Sequence, residues 1–282
     1  MKSTKSQIVS IGEVVFDILP DSRKLGGAPA DFLRSAVKYG AQASLISAIG
    51  ADDLGREVVT ELNKFDITPV LAITPYPTGR VLIFNNFGTG HTAHILENAA
   101  WDYIPYTSQA EDCVKHADAL YFDTLGLRKS YSRETILDLI DAAPQNAYRF
   151  FDVNLRLNYY DKDIICQLLK RANILKLNTE ELKVLKSYLK ISGTTENMCL
   201  EIKDKYNLKY VILTNMTKES LIWGDEGLTT MRNTRLQQVF AYGAGNAFAG
   251  AFIAAILHKY GQKKAHEEAN AAAVEICQLY KE

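Results

Sequence analysis

The chain has 282 residues, 47% of them hydrophobic and 23% charged, with a formal net charge of -1. That supplies a sizeable core, and the balanced charge suggests neither a nucleic-acid nor a membrane-surface partner, so none is expected. Four scattered cysteines, Cys113, Cys166, Cys199 and Cys277, form no C-x-x-C pair. Neither a disulfide framework nor a zinc site is indicated, and a reducing, cytoplasmic setting is expected. Lys2 and Lys5 precede an apolar stretch that Glu13 and Asp17 interrupt, so neither a signal peptide nor a membrane span is expected.

The β-branched stretch Ile8–Leu19 reads as a first strand. Pro29 then opens a helix over about 30–39, with Gly40 as its stop. A strand over 43–49 and a helix from Asp52-Asp53 to near Phe65 follow, giving the strand–helix alternation of parallel βαβ units. Residues 66–104 break that rhythm: "GRVLIFNNF" (79–87) and "HTAHILEN" (91–98), set off by Pro75, Pro77, Gly88 and Gly90, predict hairpin strands of a small separate sheet. The alternation resumes with strands at 118–123, 148–153, 173–177 and 210–214 and helices at 132–141, 161–171, 179–190 and 195–206. Three short strands (219–223, 227–231, 235–240) and two helices (245–259, 263–281) close the chain. No repeat or linker divides it, and a single domain over 1–282 is expected.

Four stretches carry possible chemistry. "GAGNAFAGAF" (243–252) puts Gly243, Ala244 and Gly245 at the start of an apolar helix, whose unpaired first N–H groups and positive dipole end suit an anion. Small residues there equally allow close helix–sheet packing. "GEVVFDILPDSRKLGGAPADF" (12–32) places Asp17 near a strand end and Gly26-Gly27 before a helix, where backbone can approach a ligand. Asp17 could instead be an ordinary turn residue. "FDVNLR" (151–156) and "KLNTEEL" (176–182) both follow strands. Asn178 and Glu181 stand one helical turn apart, able to orient metal-bound waters or to form a plain capping box. His91 and His94 lack further ligand types nearby, and no metal site is expected there.

In combination these motifs resemble the ribokinase-like (PfkB) family of sugar kinases, and within it the bacterial fructokinase-like members. The resemblance runs from Ile8 to about Tyr280 and includes "GGAPADF", "ILENAAWDYIP" (95–105), "ANILKLNTEEL" and "VILT" (211–214). It implies an α/β fold with a mostly parallel central sheet, helices on both faces, and a β-sheet lid built from 66–104 with part of 12–25. It also implies ATP and Mg²⁺ as cofactors, a sugar as substrate and a homodimer formed through the lid. By the same resemblance Asp17, Gly26, Gly27, Asp31 and Arg156 bind the sugar, and Gly243, Ala244, Gly245 and residue 246 form the anion hole and base. Asn178, Thr214, Ser220 and Asn270 face the nucleotide, and Glu181 the metal.

Several positions depart from the family pattern. Asn246 replaces the aspartate that takes the sugar proton, and Asp31 replaces the asparagine that ends the sugar motif. Phe240-Ala241 replace Asp-Thr, and Met216 and Glu219 replace glycines of the nucleotide loop, with Glu219 adding negative charge. Two functions are therefore expected to compete: a weak ATP-dependent sugar kinase, and a pseudokinase that only binds a sugar or nucleotide.

Overall fold

A computed structural model describes residues 5–86, 90–215, 218–232 and 243–279. Seven strands run parallel: β1 (Gln7–Ile11), β4 (Gln42–Gly50), β5 (Ile67–Thr74), β8 (Ala119–Asp123), β9 (Tyr148–Asp152), β10 (Ile174–Asn178) and β11 (Tyr210–Asn215). Antiparallel β12 (Glu219–Gly224) and β13 (Gly227–Arg232) extend the sheet to nine strands in the order β13-β12-β11-β10-β9-β8-β1-β4-β5. A second sheet, ordered β3-β2-β6-β7, contains β2 (Val15–Ile18), β3 (Arg23–Gly26), β6 (Gly79–Asn86) and β7 (Gly90–Ile95).

Strand alternation divides the core in two. In β8, Leu120 and Phe122 face one side; Ala119 and Tyr121 face the other. The first side is covered by α3 (Ser108–Lys115), α4 (Ser130–Ala142), α5 (Lys162–Arg171), α6 (Thr179–Leu189) and α7 (Thr195–Lys205). The second is covered by α1 (Ala28–Lys38), α2 (Asp53–Lys64), α8 (Ala244–Leu257) and α9 (Gln262–Leu279). With both faces buried, the inner strands read as continuous apolar runs.

Three expectations change. The stretch 8–19 is two strands in two sheets, because the chain leaves β1 at Gly12 and Val15 pairs instead with Gly26 and Gly79. β-branched content is equally high on both sides of that hand-over, so propensity could not locate it. Residues 67–74 belong to the large sheet: β5 pairs in parallel with β4 throughout, and its Pro69 is tolerated because β5 is an edge strand. The small sheet therefore draws on 15–26 and 79–95 rather than on all of 66–104. Helix α3 was not expected, being short and polar, although Thr107 caps it by accepting from the Ala110 N–H at 3.1 Å. The strand expected at 235–240 lies outside the described residues.

Candidate active site

Helix α8 is buried along nearly its whole length, as its all-round apolarity predicts. It begins at Gly243, a left-handed residue with φ 86°, and no side chain caps its first turn. Those N–H groups thus remain available to an anion. Beneath them lies Lys176 of β10: a Cβ added at Gly245 would stand 3.2 Å from its Nζ. Lys176 donates to Asp152 Oδ2 at 2.6 Å, with both side chains almost fully buried. A dipole end and the Lys176 ammonium therefore converge at the start of α8.

Beside this cradle is a cavity of about 480 Å³ whose walls include Asp17, Gly26, Asp31 and Gly243. A Cβ added at Gly26 would meet Asp17 Oδ2 at 2.7 Å, so a side chain there would displace the Asp17 carboxylate. Burial raises the Asp17 carboxyl to a pKa of about 6, with the Asp31 charge pushing the same way and Lys24 opposing it. Burial also raises Asp31, against Arg34, Lys24 and the Asn246 side chain, which favour its ionised form. Arg34 fixes the Asp31 carboxylate, donating to Oδ1 at 2.7 Å and to the Leu25 carbonyl at 2.9 Å. Oδ2 faces the cradle, 3.5 Å from where a Gly243 Cβ would be.

Gly27 (φ 105°) is the N-cap of α1, and a Cβ there would meet the Glu13 carbonyl oxygen at 2.6 Å. Glu13 Oε1 accepts from the Ala28 N–H at 3.0 Å, while Oε2 has no hydrogen-bond partner among the described residues. Burial first, then the Asp123 charge, raises the Glu13 carboxyl well above its ordinary range. Burial likewise takes Asp123 to about 6, although the Asn154 amide donates to its Oδ2 at 2.7 Å. Arg156 is exposed, and its charge lowers both carboxyls. Glu13, Asp123, Asp152 and Lys176 were not singled out from sequence: an ionisable residue at the end of an apolar strand looks like ordinary punctuation.

A model of the pfkB family carbohydrate kinases matches residues 5–281. The chain belongs to that family. The relatives of this pfkB kinase include an uncharacterized sugar kinase of Pyrococcus horikoshii, 28% identical, with 90% of this chain and 84% of that protein aligned. A 5-dehydro-2-deoxygluconokinase of Clostridium botulinum is 24% identical over 96% of this chain and 87% of its own. The Pyrococcus horikoshii structure superposes with TM-score 0.82 at 25% identity, covering 95% of this chain and 90% of that one. A Xylella fastidiosa fructokinase with bound ATP shares the fold at TM-score 0.81 and 16% identity, covering 97% and 89%.

In this pfkB chain Asn178, Thr214, Ser220 and Asn270 are the residues expected to face a nucleotide, and Glu181 the metal. Asn178 and Glu181 form a capping box: Asn178 Oδ1 accepts from the Glu180 and Glu181 N–H groups, each at 2.9 Å. Glu181 accepts from the Leu155 N–H at 3.1 Å and the Asn178 N–H at 2.7 Å, so both its oxygens already serve the backbone. Thr214 and Asn270 are half-buried. Ser220 is buried, its hydroxyl 2.8 Å from His266 Nε2, whose ring burial pushes down to a pKa of about 4. Glu219 lies opposite Arg232, with Oε2 3.7 Å from Nε, so its charge is offset across the strands rather than left bare. Met216, Phe240 and Ala241 lie outside the described residues.

Proposed function

We propose that this chain is an ATP-dependent sugar kinase, transferring the terminal phosphoryl group to a primary hydroxyl of a ketose such as fructose. One observation carries the reading: the uncapped, lysine-backed start of α8 opens beside a cavity walled by the Asp17 and Asp31 carboxylates. Carboxylates accept hydrogen bonds from sugar hydroxyls, and phosphoryl transfer is catalysed mainly by positioning and electrostatics. The free N–H groups of α8 and Lys176 fit the phosphates. A Mg²⁺ ion arriving with the nucleotide would neutralise charge on the departing diphosphate. Glu181, its oxygens engaged by backbone N–H groups, fits such an ion only through water.

Asn246 favours a second reading, a pseudokinase that binds sugar or nucleotide in a regulatory role, since an amide cannot take the hydroxyl proton. ADP release measured over a panel of ketoses, aldoses and keto-sugar acids separates the two. The panel includes 5-dehydro-2-deoxygluconate, named for the Clostridium botulinum relative. The kinase reading expects turnover of at least one sugar, with KM raised several-fold or more by Asp17→Ala. No turnover, together with calorimetric sugar binding, would establish the pseudokinase instead.

The homodimer is proposed on a separate observation. The small sheet has β3 and β7 as free edges among the described residues and leaves Phe84 of β6 53% exposed, and such edges call for cover. A dimer mass at micromolar concentration is expected. A strict monomer would remove the proposal.

A further inference from the structure

Asp31 and Asn246 meet at the start of α8, where the Asn246 side chain favours the ionised Asp31 carboxyl. They sit on α1 and α8, two helices that cross on the same face of the large sheet. Asn246 lies in the uncapped first turn of α8, where a group taking a proton from an acceptor hydroxyl would be well placed, but its amide has no such capacity. Asp31 lines the same cavity as Gly243, the residue that opens this turn, and the Asn246 side chain favours its ionised form. Its two oxygens are differently employed: Oδ1 is held by Arg34, and Oδ2 points toward Gly243, the residue that opens the anion cradle.

We propose that Asp31 is the general base of this kinase, with Asn246 as the neutral partner that orients it and the acceptor hydroxyl. The inference rests on the kinase reading above. In the transfer step the hydroxyl proton passes to Asp31 Oδ2, and the hydroxyl oxygen's electron pair forms the new bond to the terminal phosphorus of a nucleoside triphosphate. The bond from that phosphorus to the bridging oxygen breaks, and its electron pair leaves on the diphosphate. Arg34 holds Oδ1 throughout, so the carboxylate needs no reorientation. Asp17 is the other carboxylate on this side of the cavity, but it bends over Gly26 on the small sheet rather than toward Gly243. Glu275, at the far end, is occupied by Lys38.

The charged groups around Asp31 are Asp17 on β2, Lys24 on β3, Arg34 on its own helix and, farther along the cavity, Lys38 and Glu275. Burial lifts the Asp31 carboxyl above the ordinary aspartate range despite Arg34. A base so tuned transfers protons more effectively near neutrality than an exposed aspartate does. The kcat of the wild type is accordingly expected to fall on the acid side, as Asp31 takes up its proton.

The test uses four full-length proteins: wild type, Asp31→Asn, Asn246→Asp, and the exchange variant Asp31→Asn/Asn246→Asp. For the sugar that the wild type turns over best, Asp31→Asn is expected to lower kcat about 10²-fold or more while KM changes little. It should also abolish the acid limb of the kcat profile, a limb that Asp17→Asn retains. The exchange variant moves the carboxylate across the same contact and should regain most of the lost kcat, which a merely structural role for Asp31 would not produce. Equal kcat for wild type and Asp31→Asn overturns the proposal while leaving the kinase reading intact. An exchange variant that is active where the wild type is silent overturns the proposal and, with it, the kinase reading of the natural chain. Silence from both sinks the kinase reading and this base together.

Discussion

Gly250→Ala is expected to destabilise the fold by about 1–3 kcal/mol and, where α1 is displaced, to cut phosphoryl transfer sharply. Gly250 lies in the middle of α8, where the helix crosses α1. A Cβ there would stand 2.2 Å from the Phe32 carbonyl oxygen, 2.8 Å from Ser35 Cβ and 2.9 Å from the Ala36 nitrogen. Two of these atoms are backbone, so no side-chain rotation relieves the clash. The helices must separate, and the Ser35 hydroxyl then loses its 2.7 Å hydrogen bond to the Ala247 carbonyl. Asp31 and Asn246 lie one turn from this crossing, so separation spoils their contact too. Helix propensity alone would favour alanine over glycine by up to about 1 kcal/mol, which gives the measurement its edge. A lower urea midpoint at unchanged m-value is the expected result; a higher midpoint would mean that the crossing has slack.

The second large effect concerns a buried ion pair. Arg128 and Asp102 have side chains 2% and 0% exposed, joined by Nε to Oδ1 at 2.6 Å and Nη2 to Oδ2 at 2.7 Å. The guanidinium also donates to the Leu96 carbonyl at 2.7 Å and lies over Trp101, 3.9 Å from the ring centre. Arg128→Ala leaves Asp102 buried and charged with, among the described residues, the Ala99 N–H at 3.0 Å to stabilise it. A loss of about 3–5 kcal/mol is expected. The double variant Arg128→Ala/Asp102→Asn removes the orphan charge and should be more stable than Arg128→Ala alone. Equal urea midpoints for the two variants would show that the damage comes from lost packing on Trp101 instead.

Much of the frame was legible because the inner large-sheet strands are apolar runs and helix ends carry local signals. Gly40 ends the turn after α1, and Asp52 caps α2 by accepting from the Gly55 N–H at 2.8 Å. What escaped reading was partnership. Nothing in "IVSIGEVVFDILP" says that its two halves join different sheets, and nothing in "ITPVLAIT" says which sheet's edge it borders. The same limit applied at the site. Asp17 beside Gly26 and the uncapped glycine turn were legible as motifs, yet the pairing of Asp31 with Asn246 depends on a helix crossing between distant parts of the chain. Lys176 was hidden differently: a lysine within a strand looks like an exposed edge residue until Asp152 is seen to neutralise it.

The link between the two sheets has a mechanical consequence. Only Gly12, Glu13 and Val14 separate β1, anchored between β4 and β8, from β2 in the small sheet. The middle residue of that link holds the first N–H of α1. Gly27 alone joins β3 of the small sheet to α1, so the start of α1 is tied to that sheet both by the chain and by the Glu13 carboxylate. Asp17 belongs to β2 of the small sheet and Asp31 to α1. The gap between the two carboxylates, and so the repulsion that helps to raise the proton affinity of Asp17, is fixed by how tightly the small sheet and α1 are held together.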